Sequence, residues 1–599
     1  MHPLLQYPFD NQLLLRRRKL IRKELLTISD LIEKHIAILG GSTTHDIKDM
    51  LELFLLDQGI RPVFFESEYA QYWQDAMFGN PELTDLQPDI IFIHTSNRNI
   101  TAFPELDNSA AEVDALLEQT LAHFTAMWDK LRKTYHCPII QNNFEYPFYR
   151  LLGNQDASNF RGKTNFITRL NLKFYEYAQT HEQFYINDIN YLSADYGLEK
   201  WSDPFYWHMY KYALCMDAIP RLAFSVSNII KSLFGKNKKA FALDLDNTLW
   251  GGVVGDDGVE NLELGQETSM GQVYSEFQQY LKAHKKLGVL LNVVSKNDHE
   301  NAIAGLRHPD SVLIPEDFIT IRANWEPKSL NLVQMAEELT LLPESFVFVD
   351  DNPAERAIVR QQVPGTAVPE AAEVEHYIQI IDRSGFFEVT NFSKDDLNRN
   401  EMYKENIARA QMQQSFANYE DYLLSLDMKA TIKPFESLYM SRIAQLTNKS
   451  NQFNLTTRRY TQEEIERTTA DPNYITLYGK LEDRFGDNGV VSVVIGQING
   501  DRLDIILWLM SCRVLKRDME FAMMDTLAEK ARRMGIKKLV GYYYPTVKNS
   551  MVKNFYDLQG FTKTIEAQDG STTWELDLSQ EYTNKNNVIQ INQDYVPIR

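Results

Sequence analysis

Five short, nearly continuous apolar runs recur through the first two-thirds of this chain. Each ends in a polar or glycine-rich turn and is followed by a helical pattern. Residues 35–39 (HIAIL) lead into GGSTT, 89–93 into HTSNRN, 241–245 into DNTLWGG, 289–294 into SKND and 346–349 into DDNPAE. Runs that are apolar on both faces and alternate with helices predict parallel sheets covered on both sides. Ligands of such sheets bind beyond the carboxyl ends of the strands, so the polar turns are where chemistry is expected.

The 599 residues predict three or four domains, at roughly 100–200 residues each. A basic link at 231–239 (KSLFGKNKK) separates a first unit, 1–230, from a second, 236–390. A polar helical stretch, 391–427, leads to a third, 428–580. There, strands at 490–495 and 503–509, a helix at 519–534 and a strand at 538–543 predict an antiparallel-leaning α+β domain. The tail, 581–599, is rich in Asn and Gln and gives no assignment. Near the start, 11–26 predicts a surface helix with a stripe of Leu13, Leu14, Leu20, Ile21 and Leu25.

Composition excludes some functions. With 82 acidic against 62 basic side chains, the net charge of −20 opposes binding along phosphate backbones, so no nucleic-acid partner is expected. Cys137, Cys215 and Cys512 are too scattered for a disulfide framework or a zinc site, and a reducing cytoplasm fits. The LLL run at 13–15 is broken at once by Arg16, Arg17, Arg18 and Lys19. That is the reverse order of a signal peptide, and no membrane insertion is expected.

Four pieces of the second unit form a chemical set. Asp244 and Asp246 lie in D-L-D-N-T after one apolar run, and Ser295, Lys296 and Asn297 follow another. Lys328 lies in W-E-P-K-S, and Asp350 and Asp351 close a third run. One carboxylate can attack phosphorus while a second, two residues on, protonates the leaving oxygen. A hydroxyl and an ammonium can hold phosphoryl oxygens, and further carboxylates can hold Mg²⁺. As an isolated motif D-x-D-x-T is also compatible with a helix-capping turn; the other pieces, in order, point to phosphoryl transfer.

This set resembles the haloacid dehalogenase (HAD) superfamily. The run from Asp244 to Gly258 (DLDNTLWGGVVGDDG) narrows the resemblance to the FkbH-like branch, subfamily IIIC. It implies Asp244 as nucleophile and Asp246 as general acid/base. Ser295 and Lys328, with Thr248, Lys296 and Asn297, are the implied phosphate site, and Asp244, Asp246, Asp350 and Asp351 the implied Mg²⁺ site. The short flap after Asp246 leaves no room for a cap domain, so the site is open unless a neighbouring domain closes over it.

The first unit resembles an SGNH hydrolase, a flavodoxin-type fold. Ser42, Asn97 (with Asn99), Asp203 and His208 are the implied catalytic set. It departs from the family in having G-G-S at 40–42, and D-x-x-H is stretched to Asp203–His208, so a scaffold without esterase activity is expected. Ser42 or Thr43 then caps the helix through 50–56.

The third unit resembles the GNAT-like acyltransferase half of FkbH-like proteins, through 445–459, 511–520, 544–549 and 555–561. Family members are associated with turning 1,3-bisphosphoglycerate into a glyceryl thioester on an acyl carrier protein. Cys512 is then the residue that passes the acyl group, with Arg513, Lys516 and Arg517 favouring its thiolate and offering a docking patch; a buried small hydrophobe is the alternative. The 448–459 stretch either lines a polar groove or forms a solvated loop. Where GNAT enzymes carry R/Q-x-x-G-x-G for coenzyme A, this chain has Lys516 and Asp518 at the glycine positions. The expected function is a Mg²⁺-dependent phosphatase acting on a small phosphorylated substrate and coupled to acyl transfer. A plain phosphatase on a phosphorylated small molecule or sugar precursor is the alternative.

Overall fold

The computed structural model describes residues 2–28, 31–450 and 452–592, which fall into two compact units. The first comprises Met1–Leu233 with Glu388–Thr390. Its strands are β1 (Ile32–Gly40), β2 (Ile60–Glu66), β3 (Ile90–His94), β4 (Ile139–Asn142) and β5 (Phe184–Asn187). They pair in parallel in the order 2-1-3-4-5, the doubly wound arrangement that the alternating pattern requires. Successive side chains of β1 point to opposite faces, so Ala37 and Leu39 join one helical layer with Val113, Phe124, Phe166 and Phe174. β2 escapes the sequence pattern because Pro62 interrupts it; as an edge strand it loses no ladder bond there. In the helix Asn11–Leu25 only Leu14, Ile21 and Leu25 are buried, and Leu20, one residue round the helix, is 52% exposed.

The second unit comprises Phe234–Phe387 and Asn391–Arg599. β6 (Ala240–Leu243), β7 (Asn292–Ser295), β8 (Thr320–Ala323) and β9 (Phe346–Val349) form a parallel sheet in the order 8-7-6-9. The remaining strands form one larger sheet. They are β10 (Met428–Lys433), β11 (Phe453–Asn454), β12 (Tyr474–Asp483), β13 (Gly486–Asn499), β14 (Arg502–Met510), β15 (Lys538–Tyr543), β16 (Thr562–Glu566), β17 (Thr572–Asp577) and β18 (Ile589–Ile591). The tail is therefore partly structured, because β18 pairs in parallel with β10; its residues 593–599 lie outside the described residues.

The helical stretch expected to link two domains instead binds them together. In the helix Arg399–Gln413, Tyr403 enters the apolar layer of Ala240, Leu290 and Phe346, and Asn400 donates to the carbonyls of Lys285 and Val289. Further along, buried Arg409 pairs with Asp483, which Arg517 also reaches. Gly288, at φ +84°, gives way to this helical stretch: a Cβ there would lie 1.8 Å from the Asp396 carbonyl oxygen. These contacts, with Lys548 paired to Glu344 just before β9, fix the third domain against the amino ends of β6–β9.

Candidate active site

β6 ends at Leu243 and delivers Asp244; β7 ends on Ser295; β9 delivers Asp350; and Lys328 opens the helix Lys328–Glu338. The topology therefore gathers at one sheet edge residues that lie up to a hundred positions apart. Lys328 Nζ lies 2.8 Å from Asp244 Oδ2 and 2.6 Å from Asp350 Oδ2. One oxygen each from Asp244, Asp350 and Asp351 lies within 4.8 Å of the others. Burial, then the charge of Asp244, pushes the Asp350 carboxyl up to about 6 despite Lys328, and the same two causes raise Asp351. Burial opposes the Lys328 ammonium, but Asp244 and Asp350 outweigh it and hold its pKa above the ordinary lysine value. Three carboxylates against one ammonium fit a divalent cation that takes oxygen ligands.

The Asp246 carboxylate is not one of the three in this cluster. Asn247 turns the chain at φ 56°, and the flap folds back onto the Asp246 carboxylate. Its Oδ1 accepts from Trp250 Nε1 at 2.9 Å and Val254 N at 3.1 Å, and its Oδ2 from Asn297 Nδ2 at 2.9 Å. Burial is the first cause of its raised pKa, which suits a proton donor. Asn297 thus holds the acid, and Lys296 pairs with Glu355 at 2.6 Å, so both expected phosphate ligands are committed to protein partners. Buried Thr248 accepts from the Asp351 amide at 3.2 Å and orders that loop. Sequence reasoning missed Arg356, which donates to the carbonyls of Asp350, Asp351 and Ala371. Nothing in its spacing marks it; only the fold brings those carbonyls to one guanidinium.

The SGNH-like set is not assembled as a relay. Ser42 is buried with its Oγ unbonded. Asp203 caps the helix Pro204–Tyr210 by accepting from Phe205 N at 2.7 Å, and His208 is exposed on that helix. Asn99 ties its loop to the Gly41 carbonyl, and Asn97 donates to Glu145. The N-cap position of the helix His45–Asp57 is held by Thr44, rather than Ser42 or Thr43, and its hydroxyl donates to Glu66 instead of capping the helix.

In the third domain, β14 and β15 pair only between Arg502–Ile505 and Lys538–Gly541, then part. β11 occupies the split: it pairs with Leu509 and Met510, Leu455 N donates to Trp508 O, and Tyr544 N donates to Leu455 O. Residues 453–455 are therefore part of the sheet, Arg458 is exposed, and Arg459 caps a helix end through the carbonyls of Thr447 and Ser450. Lys516 and Asp518 keep the left-handed φ (64° and 60°) that glycine would favour, now with side chains attached. Arg517 is buried and bonded to Asp483, Asn406 and Asn488, so it is not part of a docking patch, and Arg513 turns to Ser511 and Met402. Cys512 is half-buried and lies beside the Tyr403 side chain. Cys137 is buried, and Cys215 donates to the Lys200 carbonyl.

A parallel sheet with its carboxylates, lysine and flap at the carboxyl edge is a HAD-like phosphatase architecture. The chain is 28% identical to the N-terminal part of the protein BF1531 from Bacteroides fragilis, which contains a phosphatase domain complexed with Mg. The match covers 63% of this chain and 99% of that one, with a TM-score of 0.58. Residues 35–231 match the family model of the FkbH N-terminal domain. Together these matches support an FkbH-like protein. Two further solved structures match smaller parts. The ribosomal-protein-S18-alanine N-acetyltransferase from Escherichia coli is 13% identical over 26% of this chain and 99% of that one, TM-score 0.21. Ard1 from Thermoplasma volcanium is 16% identical over 25% of this chain and 97% of that one, TM-score 0.20. No curated protein matches the sequence. No helix among the described residues is long and apolar enough to cross a membrane.

Proposed function

We propose that the chain is a Mg²⁺-dependent phosphatase acting on a small phosphorylated substrate. The observation that carries this reading is the Asp244–Asp350–Asp351 cluster held around Lys328. Asp244 attacks phosphorus, and Asp246 gives its proton to the leaving oxygen and later takes one from water. Ser295 and Lys328 hold phosphoryl oxygens, and Asp244, Asp350 and Asp351 would hold Mg²⁺, which supplies charge neutralisation. Asp244→Asn is expected to lower phosphate release by several orders of magnitude with the circular dichroism spectrum unchanged, and chelation to do so reversibly. Full activity in that variant, or in excess chelator, would end the assignment.

The finer part of the proposal is acyl transfer through Cys512: from a glyceryl-type acyl phosphate to the enzyme thiol, then to a carrier-protein thiol. Supporting it are the closeness of Cys512 to the Tyr403 hydroxyl and to the Lys239 ammonium. The filled split between β14 and β15 and the side chains of Lys516 and Asp518 speak against coenzyme A. Cys512 lies near the Lys239 side chain, ahead of β6, whereas Asp244 follows the other end of that strand. Cys512→Ala is expected to keep phosphatase activity and lose any acyl adduct detected by intact-protein mass spectrometry. For the first unit we propose a cytoplasmic scaffold with an SGNH-like fold and no esterase activity.

A further inference from the structure

The loop that brings Lys328 into the active site also carries an indole out into water. Of the eight tryptophans, Trp325 alone is exposed, at 70%. Its backbone is nevertheless fixed. Just ahead of it, Asn324 N donates to the Ser295 carbonyl at 3.2 Å, which ties the loop to the end of β7. The Asn324 side chain exchanges two hydrogen bonds with buried Asn331, at 3.2 and 2.7 Å, and accepts a third from Glu326 N at 3.0 Å. Lys328 then follows Trp325 by three residues.

The indole is held as well. Its Nε1 donates to Asp298 Oδ1 at 3.0 Å. Asp298 occupies the N-cap position of the helix His299–Leu306 yet makes no side-chain capping bond. An aspartate there ordinarily accepts from the free amides of the first turn, so this one forgoes helix stabilisation to hold a ring in water. Such a ring adds little to folding, because its apolar area stays hydrated. It does offer a ligand a flat face whose side-chain freedom is already spent. Asn297, next to Asp298, holds Asp246, the residue read as proton donor to the leaving oxygen, so the indole stands on the leaving-group side of the site. Around it, Asp298 and Glu326 are exposed carboxylates, and nearby Lys296 is already paired with Glu355, so an anionic leaving group would be repelled.

We propose that Trp325 is a specificity-determining residue: an uncharged leaving group with a flat or ring-shaped face stacks on its indole, and Asp298 positions the indole for it. The substrate class is then a phosphomonoester of a phenol or cyclic alcohol. This rests on the phosphatase reading of the Asp244 site and is independent of Cys512.

The test uses the full chain with Mg²⁺ and compares phenyl phosphate with ethyl phosphate. Trp325→Ala should lower the ratio of kcat/KM for phenyl over ethyl phosphate about fivefold or more, the scale of one aromatic contact, through KM rather than kcat. Trp325→Phe should restore most of that ratio. Asp298→Ala should raise KM for phenyl phosphate, whereas Asp298→Asn, whose amide oxygen still accepts from the indole, should not. Binding is read separately in Asp244→Asn, where phenyl phosphate should change the tryptophan fluorescence saturably and Asp244→Asn/Trp325→Phe should lose that change. A saturable, Trp325-dependent response without turnover by the wild type would support the platform and end the phosphatase reading. An unchanged phenyl-to-ethyl ratio in well-folded Trp325→Ala would overturn the proposal. So would the absence of any fluorescence response to phenyl phosphate, whatever the folding of the Trp325 variants.

Discussion

Each catalytic candidate is tuned by a neighbour the fold supplies. Asp246 is held by Trp250, Val254 and Asn297, and Asp350 by Lys328 and the Asn352 amide. The first unit has its own tuned group. Glu145 is buried at 2% exposure, and burial pushes its carboxyl up to about 7, although Asn97 donates to it. A carboxyl raised on folding is protonated in the native state over a range where the unfolded chain has already lost the proton. Its ionisation therefore subtracts stability as pH rises from about 4.5 towards 7, after which the loss is complete. We predict that Glu145→Gln flattens this fall, for the transition of the first unit, by up to about 3 kcal/mol in urea titrations at pH 5 and pH 8. A wild-type transition with no pH dependence in that window would contradict the burial argument.

At the scale of elements, the Arg399–Gln413 helix decides how the second unit is built. Its sequence is polar enough to pass for a spacer, yet Tyr403 and Arg409 are buried at opposite ends of it. Arg409 and Arg517 converge on Asp483, whose side chain is fully covered at the end of β12. Asp483→Ala leaves two guanidinium groups largely out of water with their shared counter-charge gone. We predict a loss of about 3–5 kcal/mol in the unfolding of the second unit, read from urea midpoints. A change under about 1 kcal/mol would mean that Glu405, Asn406 and Asn488 already satisfy the pair.

Across the whole molecule, two compact units should unfold as two events. The three carboxylates lie in the second, so added Mg²⁺ is predicted to raise only that transition in calorimetry, by about 2.7 kcal/mol at a hundred times Kd. Movement of both transitions together would show that the units unfold as one. What the sequence determined by itself was local and periodic. Unbroken apolar runs such as HIAIL and FVFV have no water-facing side, so they specify buried parallel strands, and the turns after them specify where Asp244, Ser295 and Asp350 emerge. Side-chain partnership was left to tertiary structure, because it depends on residues distant in the chain. Lys296 and Asn297 look like phosphate ligands until Glu355 and Asp246 arrive beside them, and Asp203 and His208 look like a dyad until Asp203 caps a helix. The third domain's place at the amino ends of β6–β9 was also beyond the sequence, since it rests on a buried ion network joining positions 409, 483 and 517. No local pattern encodes a contact of that span.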